Sequence, residues 1–411
     1  MNKKQIAQKA LEKGKGIFRL APAWVPRSFC RPGRRIKLHP NDYYVLGLER
    51  GGIDERWFAS ATHAENGPLT PEDEGLSYII ADKEGNERVL LRDAVDELKG
   101  EIIGKALWDK YGRWPMFSKF FDNAGPLPHH IHHSNEHAAR VKQYGKPEMY
   151  FFPSQVNNHG GEFPFTFFGL NPETTREQVK KSLRAFTGGD NNLLGLSRAY
   201  KLELDTGWDV PPGVLHAPGS LCTYEPQFAS DVFAMYQSVL YGGQCVPVEL
   251  LWKDCPEEEI GNFDYLVDIM DWELNVDPDF HKNRFMAPVP AKPVEEMKTQ
   301  GYMEEWICYK CKEASAKRLT VFPGRTAVIR DSAPYGIICL QGHGKFGGWD
   351  LETPALIRFG QLTSDEFFVT ERAAREGVEI TNLSAHEDIV ILKHFAENPD
   401  LDEFFQEMLL R

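Results

Sequence analysis

Two short motifs about 85 residues apart set the strongest constraint on how this chain folds. The first is His130-Ile131-His132, inside the run Pro128-His-His-Ile-His-His-Ser-Asn-Glu-His137. On a strand, residues two apart face the same way, so His130 and His132 point together and Ile131 points opposite. The second is Pro211-Pro-Gly213-Val-Leu-His216. Its Pro and Gly make a tight turn, after which the histidine re-enters a strand. Imidazoles from two strands so far apart meet only if a barrel or sandwich closes around them. A carboxylate ligand has two candidates, Glu136 close to His132 and Glu148 on the next strand-like run. Such an N/O set suits Zn, Mn, Fe, Co or Ni without choosing among them. Five of the thirteen histidines crowd into 129–137, and His129, His133 and His137 read as a polar surface loop beside the inward pair.

At 411 residues the chain exceeds what one hydrophobic core usually reaches, so two domains are expected. Aromatics at 12%, with 27 prolines and 35 glycines, suit many short strands and turns. The reading is mainly β, with two jelly-roll sandwich or barrel domains and a few helices. Residues 41–290 form the metal-binding domain, with helices at Leu91–Lys99 and Ile103–Lys110 and a helical insertion near 173–187. That insertion opens at Thr174 and stops at Gly188-Gly189. Strands are expected from Tyr200 through Val248-Glu249-Leu250. The Pro-rich 287–293 reads as a linker. Residues 294–411 read as a second sandwich with a C-terminal helix. It lacks both histidine motifs, so it is expected to be metal-free, with His343 and His386 structural or exposed. Gly342–Gly348 reads as a hairpin.

A net charge of −13 argues against nucleic-acid partners, since a polyanion is repelled by such a surface. Residues 1–40 oppose this balance, with eleven Lys or Arg against Glu12 alone, about +10 beside about −23 for the remainder. That basic arm is expected to lie extended on its own acidic body rather than to reach for a polyanion. No apolar run approaches the roughly 18 residues of a membrane span. Seven cysteines, an odd number, suit reduced thiols and a cytoplasmic setting. Cys308-Tyr-Lys-Cys311 has no second pair and so does not make a zinc ribbon.

Several blocks, in order over about residues 50–240, resemble the class I mannose-6-phosphate isomerase family of bicupins. They are Gly52-Ile-Asp-Glu55-Arg-Trp57, Trp114-Pro-Met-Phe-Ser-Lys119, Pro126-Leu-Pro-His-His-Ile-His132, Gly145-Lys146-Pro-Glu148-Met-Tyr, and Pro212-Gly213-Val-Leu-His216 followed by Glu225-Pro-Gln227 and Ser230-Asp231. The resemblance implies two cupin domains and one divalent transition metal, zinc foremost. It implies His130 (where the family has Gln), His132, Glu148 and His216 as ligands, with Lys119, Lys146 and Glu225 lining the active site. It also implies proton transfer between C1 and C2 of a sugar through a cis-enediol, beside a metal that polarises the carbonyl.

Two positions depart from the family pattern. Its Arg after Ser-Asp falls at Met235, and its Ser before the Gln-x-His stretch falls at Pro128. Both losses remove phosphate contacts and favour an unphosphorylated sugar. A sugar-binding cupin without turnover, or a three-histidine cupin oxygenase, is the alternative. Lys119, Lys146 and Glu225 pull toward sugar chemistry. The sequence assigns no oligomeric state.

Overall fold

The computed structural model describes residues 1–82, 84–157 and 163–409. The chain is mainly β and forms two antiparallel sandwiches. In the first, a seven-stranded sheet runs Phe285–Met286, Gly207–Val210, Glu148–Phe151, Thr223–Phe228, Met116–Phe121, Gly52–Phe58, Ala23–Arg27. It faces five strands, Ser197–Lys201, Phe165–Leu170, His216–Ala217, His130–Ile131 and Ala234–Met235. The second sandwich pairs another seven-stranded sheet, running from Ile17–Arg19 to Val289–Pro290, with four strands between Thr326 and Asn382. His343–Phe346 and Trp349–Glu352 pair as the expected hairpin.

The two large sheets pack on each other, so their central strands are buried on both faces. Met116–Phe121 shows the division of labour. Phe117 and Phe121 face into the first sandwich, while Met116 and Phe120 join Phe58, Trp114 and Tyr224 against Trp306, Ile338, Phe368 and Leu392 of the second. Polar groups in this interface are paired. Arg56 makes a fork with Asp365 at 2.8 and 2.9 Å, and Nδ1 of His394 meets the hydroxyls of Ser118 and Tyr224 at 2.8 and 3.0 Å. Phe368 lies between Phe18 and Trp114, its ring edge-on to Trp114 at 5.0 Å. Phe368→Ala is expected to cost about 3–5 kcal/mol through transfer and cavity terms. Urea unfolding followed by intrinsic fluorescence measures the loss.

The basic segment 1–40 is not a separate extended arm. Helix Lys3–Lys13, closed by a capping box from Asn2 and Gln5, buries Ala7 and Ala10. Ile17–Arg19 then adds an edge strand to the second sandwich, and Ala23–Arg27 adds one to the first. One short stretch therefore staples the sandwiches together. Its charge is spent partly inside the fold, as expected of docking on an acidic body, but through regular structure.

The expected strand at Val248–Leu250 is instead a helical turn, Val248–Leu251. It opens a helical excursion with Phe263–Asp268, Trp272–Asn275 and Phe280–Arg284. Asn262 and Asp271 cap two of these helices with their side chains. Each is too short to stand alone, and packing supplies the stability. Together with Arg176–Arg184, whose N-cap is Thr175 rather than Thr174, they cover the outer face of the five-stranded sheet through Val179, Leu183, Leu266 and Ile131. The 287–293 stretch is no free linker, since Val289–Pro290 closes an edge of the second sandwich. All seven cysteines are free thiols. Among the described residues no helix is long and apolar enough to cross a membrane.

Candidate metal centre

His130 and His216 sit directly opposite one another on adjacent antiparallel strands, with ring centroids 4.2 Å apart. His132 follows two residues after His130 and presents its ring to the same interior. The turn that returns His216 to the sheet needs Gly213, whose φ is +83° and whose missing Cβ would come within 2.8 Å of the Asp271 amide. Asn275 holds this turn by donating to the Gly213 carbonyl and accepting from the Leu215 amide.

Each imidazole is oriented by a backbone carbonyl. Nδ1 of His130 donates to Pro128 at 2.9 Å, His132 to Val232 at 2.7 Å and His216 to Val214 at 2.9 Å. This fixes the tautomer and leaves three Nε2 lone pairs facing inward, the arrangement that metal-binding histidines adopt. The three rings offer ligand atoms within 4.8 Å of one another. Glu148 lies among them, with one oxygen 3.2 Å from Nε2 of His132 and the other 3.2 Å from Nε2 of His216. Tyr150 donates to its Oε1 at 2.6 Å. Nε2 of His216 and Oε2 of Glu148 are buried and make no well-formed hydrogen bond. Nε2 of His132 and Oε2 of Glu148 face the Lys146 ammonium at 3.1 and 3.0 Å; a converging donor set of this kind fits a cation.

Electrostatics support that fit. Burial, and then Lys146, holds the His132 imidazole down at about 3, so the ring stays neutral. Burial raises the Glu148 carboxyl, but the Lys146 charge outweighs it and keeps the group well below the usual carboxylate range. Beyond Glu148 runs a chain of alternating charges. Nζ of Lys146 is 3.0 Å from Glu148 and 3.4 Å from Glu225, and Nζ of Lys119 is 3.3 Å from Glu225 and 3.5 Å from Glu55. Glu225 and Lys119 are direct partners across adjacent strands. Burial, then the Glu148 charge, pushes Glu225 up to about 8. A carboxyl that gains or loses its proton near neutrality is therefore held between two ammonium groups.

Every site residue expected from the sequence lies in this cluster. Glu136 does not; it is exposed on helix Asn135–Ala139. The surface-loop expectation fails for His129 and His133, which are buried. They alternate with the inward pair and pack behind the sheet, where His129 bonds Gln237 and Ser197, and burial pushes both rings down to about 4. His137 is half-buried, and His343 and His386 are exposed. Pro128 offers no donor, but its carbonyl aims His130, and Met235 pairs with His130 in the adjacent strand. Sequence reasoning missed Arg27 as a site residue. Its guanidinium lines the same pocket, paired with Glu55 and Asp231. No local motif marks it; only the excess of positive charge in residues 1–40 hinted that such a cation needed an acidic partner.

The sandwich architecture is shared with solved structures of mannose 6-phosphate isomerases. Mannose 6-phosphate isomerase from Bacillus subtilis matches with a TM-score of 0.60 at 14% identity, over 92% of this chain and 99% of that one. A phosphomannose isomerase variant from Salmonella typhimurium matches with a TM-score of 0.61 at 12% identity, over 93% and 100%. At such identities the likeness shows the fold. No family model and no curated protein matches the sequence.

Proposed function

We propose that the protein is a metal-dependent aldose–ketose isomerase that acts on an unphosphorylated sugar. The observation that carries this reading is the joining of three inward Nε2 atoms and Glu148 to the Lys146–Glu225–Lys119 chain. His130, His132, Glu148 and His216 would hold one divalent transition metal, for which the family resemblance favours zinc. When bound, the metal supplies Lewis-acid polarisation of the sugar carbonyl. Glu225, set between Lys146 and Lys119 beside the ligand cluster, moves the proton between C1 and C2 through a cis-enediol. Lys146 and Lys119 donate to sugar oxygens and stabilise the charge that develops there. A binding protein or an apolar-substrate oxygenase has no use for a titratable acid held between two lysines.

The substrate preference follows from charge pairing. The cations lining the pocket are Arg27, Lys119 and Lys146, and each already faces one or two carboxylates. A phosphate dianion needs charge-assisted donors to offset its desolvation. Arg27 has no donor left, and the charges of Lys119 and Lys146 are already offset by carboxylates, which leaves no uncompensated cation for a dianion. Turnover is therefore expected with the metal-reconstituted protein on free mannose or fructose, with kcat/KM above that for their 6-phosphates. Proton exchange at C1 and C2 measures it. A 6-phosphate preferred by about 100-fold, worth about 2.7 kcal/mol of transition-state binding, overturns the neutral-substrate reading. Absence of exchange with any aldose or ketose overturns the isomerase reading.

A further inference from the structure

Arg27 ends the edge strand Ala23–Arg27 and is only 3% exposed. Its whole donor set is engaged. Nε and Nη2 donate to the two oxygens of Glu55, and Nη1 and Nη2 to those of Asp231, all at 3.2 Å. Nη1 also donates to Asn66 Oδ1 at 2.9 Å. With no donor left over, the guanidinium is not poised to bind a ligand.

Each of its two acids leads to a different part of the site. Glu55 lies 3.5 Å from Nζ of Lys119, which in turn lies 3.3 Å from Glu225, and the Trp57 indole fixes its other oxygen at 2.7 Å. Asp231 immediately precedes Val232, whose carbonyl accepts the Nδ1–H of His132 at 2.7 Å. One planar fork thus ties the segment that aims His132 to the segment that holds Lys119. A lysine could not do this, because one nitrogen would face four carboxylate oxygens.

We infer that Arg27 is a positioning residue for the metal centre: through Asp231 it sets the direction of His132, and through Glu55 it holds Lys119 against Glu225. The inference rests on the metal-centre reading and is independent of the sugar chemistry. Ligand-orienting partners of this kind typically change metal affinity 10–100-fold when lost.

The test uses the full chain, stripped of metal and titrated with Zn(II) against a competing chelator, and separately loaded with Co(II) for its visible spectrum. Arg27→Lys is expected to weaken Zn(II) binding by about 10–100-fold and to shift the Co(II) bands. Arg56→Lys is the matched control, since Arg56 makes an equally buried fork with Asp365 across the interface between the sandwiches, away from the ligand cluster. It is expected to lower the melting temperature and leave Zn(II) affinity and the Co(II) spectrum unchanged. Should Arg27→Lys fail to fold, the double variant Arg27→Gln/Asp231→Asn removes the fork with one counter-charge and carries the same expectation. Unchanged Zn(II) affinity and Co(II) bands in the Arg27 variant overturn the inference, and so does an equal loss in Arg56→Lys. Metal bound normally by the unaltered protein without sugar turnover defeats the isomerase reading alone.

Discussion

His216→Ala protein is expected to lose stoichiometric metal and at least about 100-fold in turnover, on the scale of losing a main electrostatic contribution to catalysis. His216 is fully buried, its Nδ1 is committed to the Val214 carbonyl, and its Nε2 has no hydrogen-bond partner. Its removal deletes one of three converging lone pairs, the one that faces Glu148 at 3.2 Å. Elemental analysis after dialysis against Zn(II), with turnover of the same sample, checks both halves. Glu136→Ala is the companion measurement. That carboxylate is exposed on its helix, so metal content and turnover should be unaffected. Metal lost on Glu136→Ala and kept on Glu148→Ala would reverse the ligand assignment.

Glu225→Gln should keep the metal and lose about 10²–10⁴-fold in turnover, the range for removing a general acid–base group. The amide preserves shape and can still accept from Lys119 and Lys146, so the fold is spared. What disappears is a carboxyl whose proton affinity burial and Glu148 have raised to about 8. Lys119 is raised by Glu225 and Glu55 against the effect of its own burial, and it remains an ammonium rather than a substitute base. The decisive comparison is kcat with Zn(II) content measured on one preparation. Turnover close to that of the unaltered protein, at full metal occupancy, would move the proton-transfer role to another group.

Much of the site was legible in the order of residues because its chemistry is local at each strand. His130 and His132 need only the two-residue period of a strand, and His216 needs only a Pro-x-Gly turn before it. Glu148, Lys146 and Lys119 came through resemblance of short blocks, each lying on one strand or on the loop leading into it. The two sandwiches announced themselves through short apolar runs and turn residues. Less legible were the helices after Val248, which run for less than two turns and so show no repeated apolar face, and which depend on packing for their stability.

The motif spacing therefore told what the chain could assemble: a closed β-barrel interior with histidines facing inward, and a second sandwich without them. One placement that the resemblance implied takes its physical reason from tertiary structure, and two others rested on it alone. Glu148 rather than Glu136 stands beside the histidines because a helix turns Glu136 outward. His129 and His133 are buried because helices and loops close over the back of the sheet. Arg27 reaches the pocket because the N-terminal segment crosses between the sandwiches and ends on the edge of the first. Periodicity along a strand shows which way a side chain points. It cannot show what another segment will lay against it, since that depends on contacts between residues hundreds of positions apart, as Arg27 and Asp231 demonstrate.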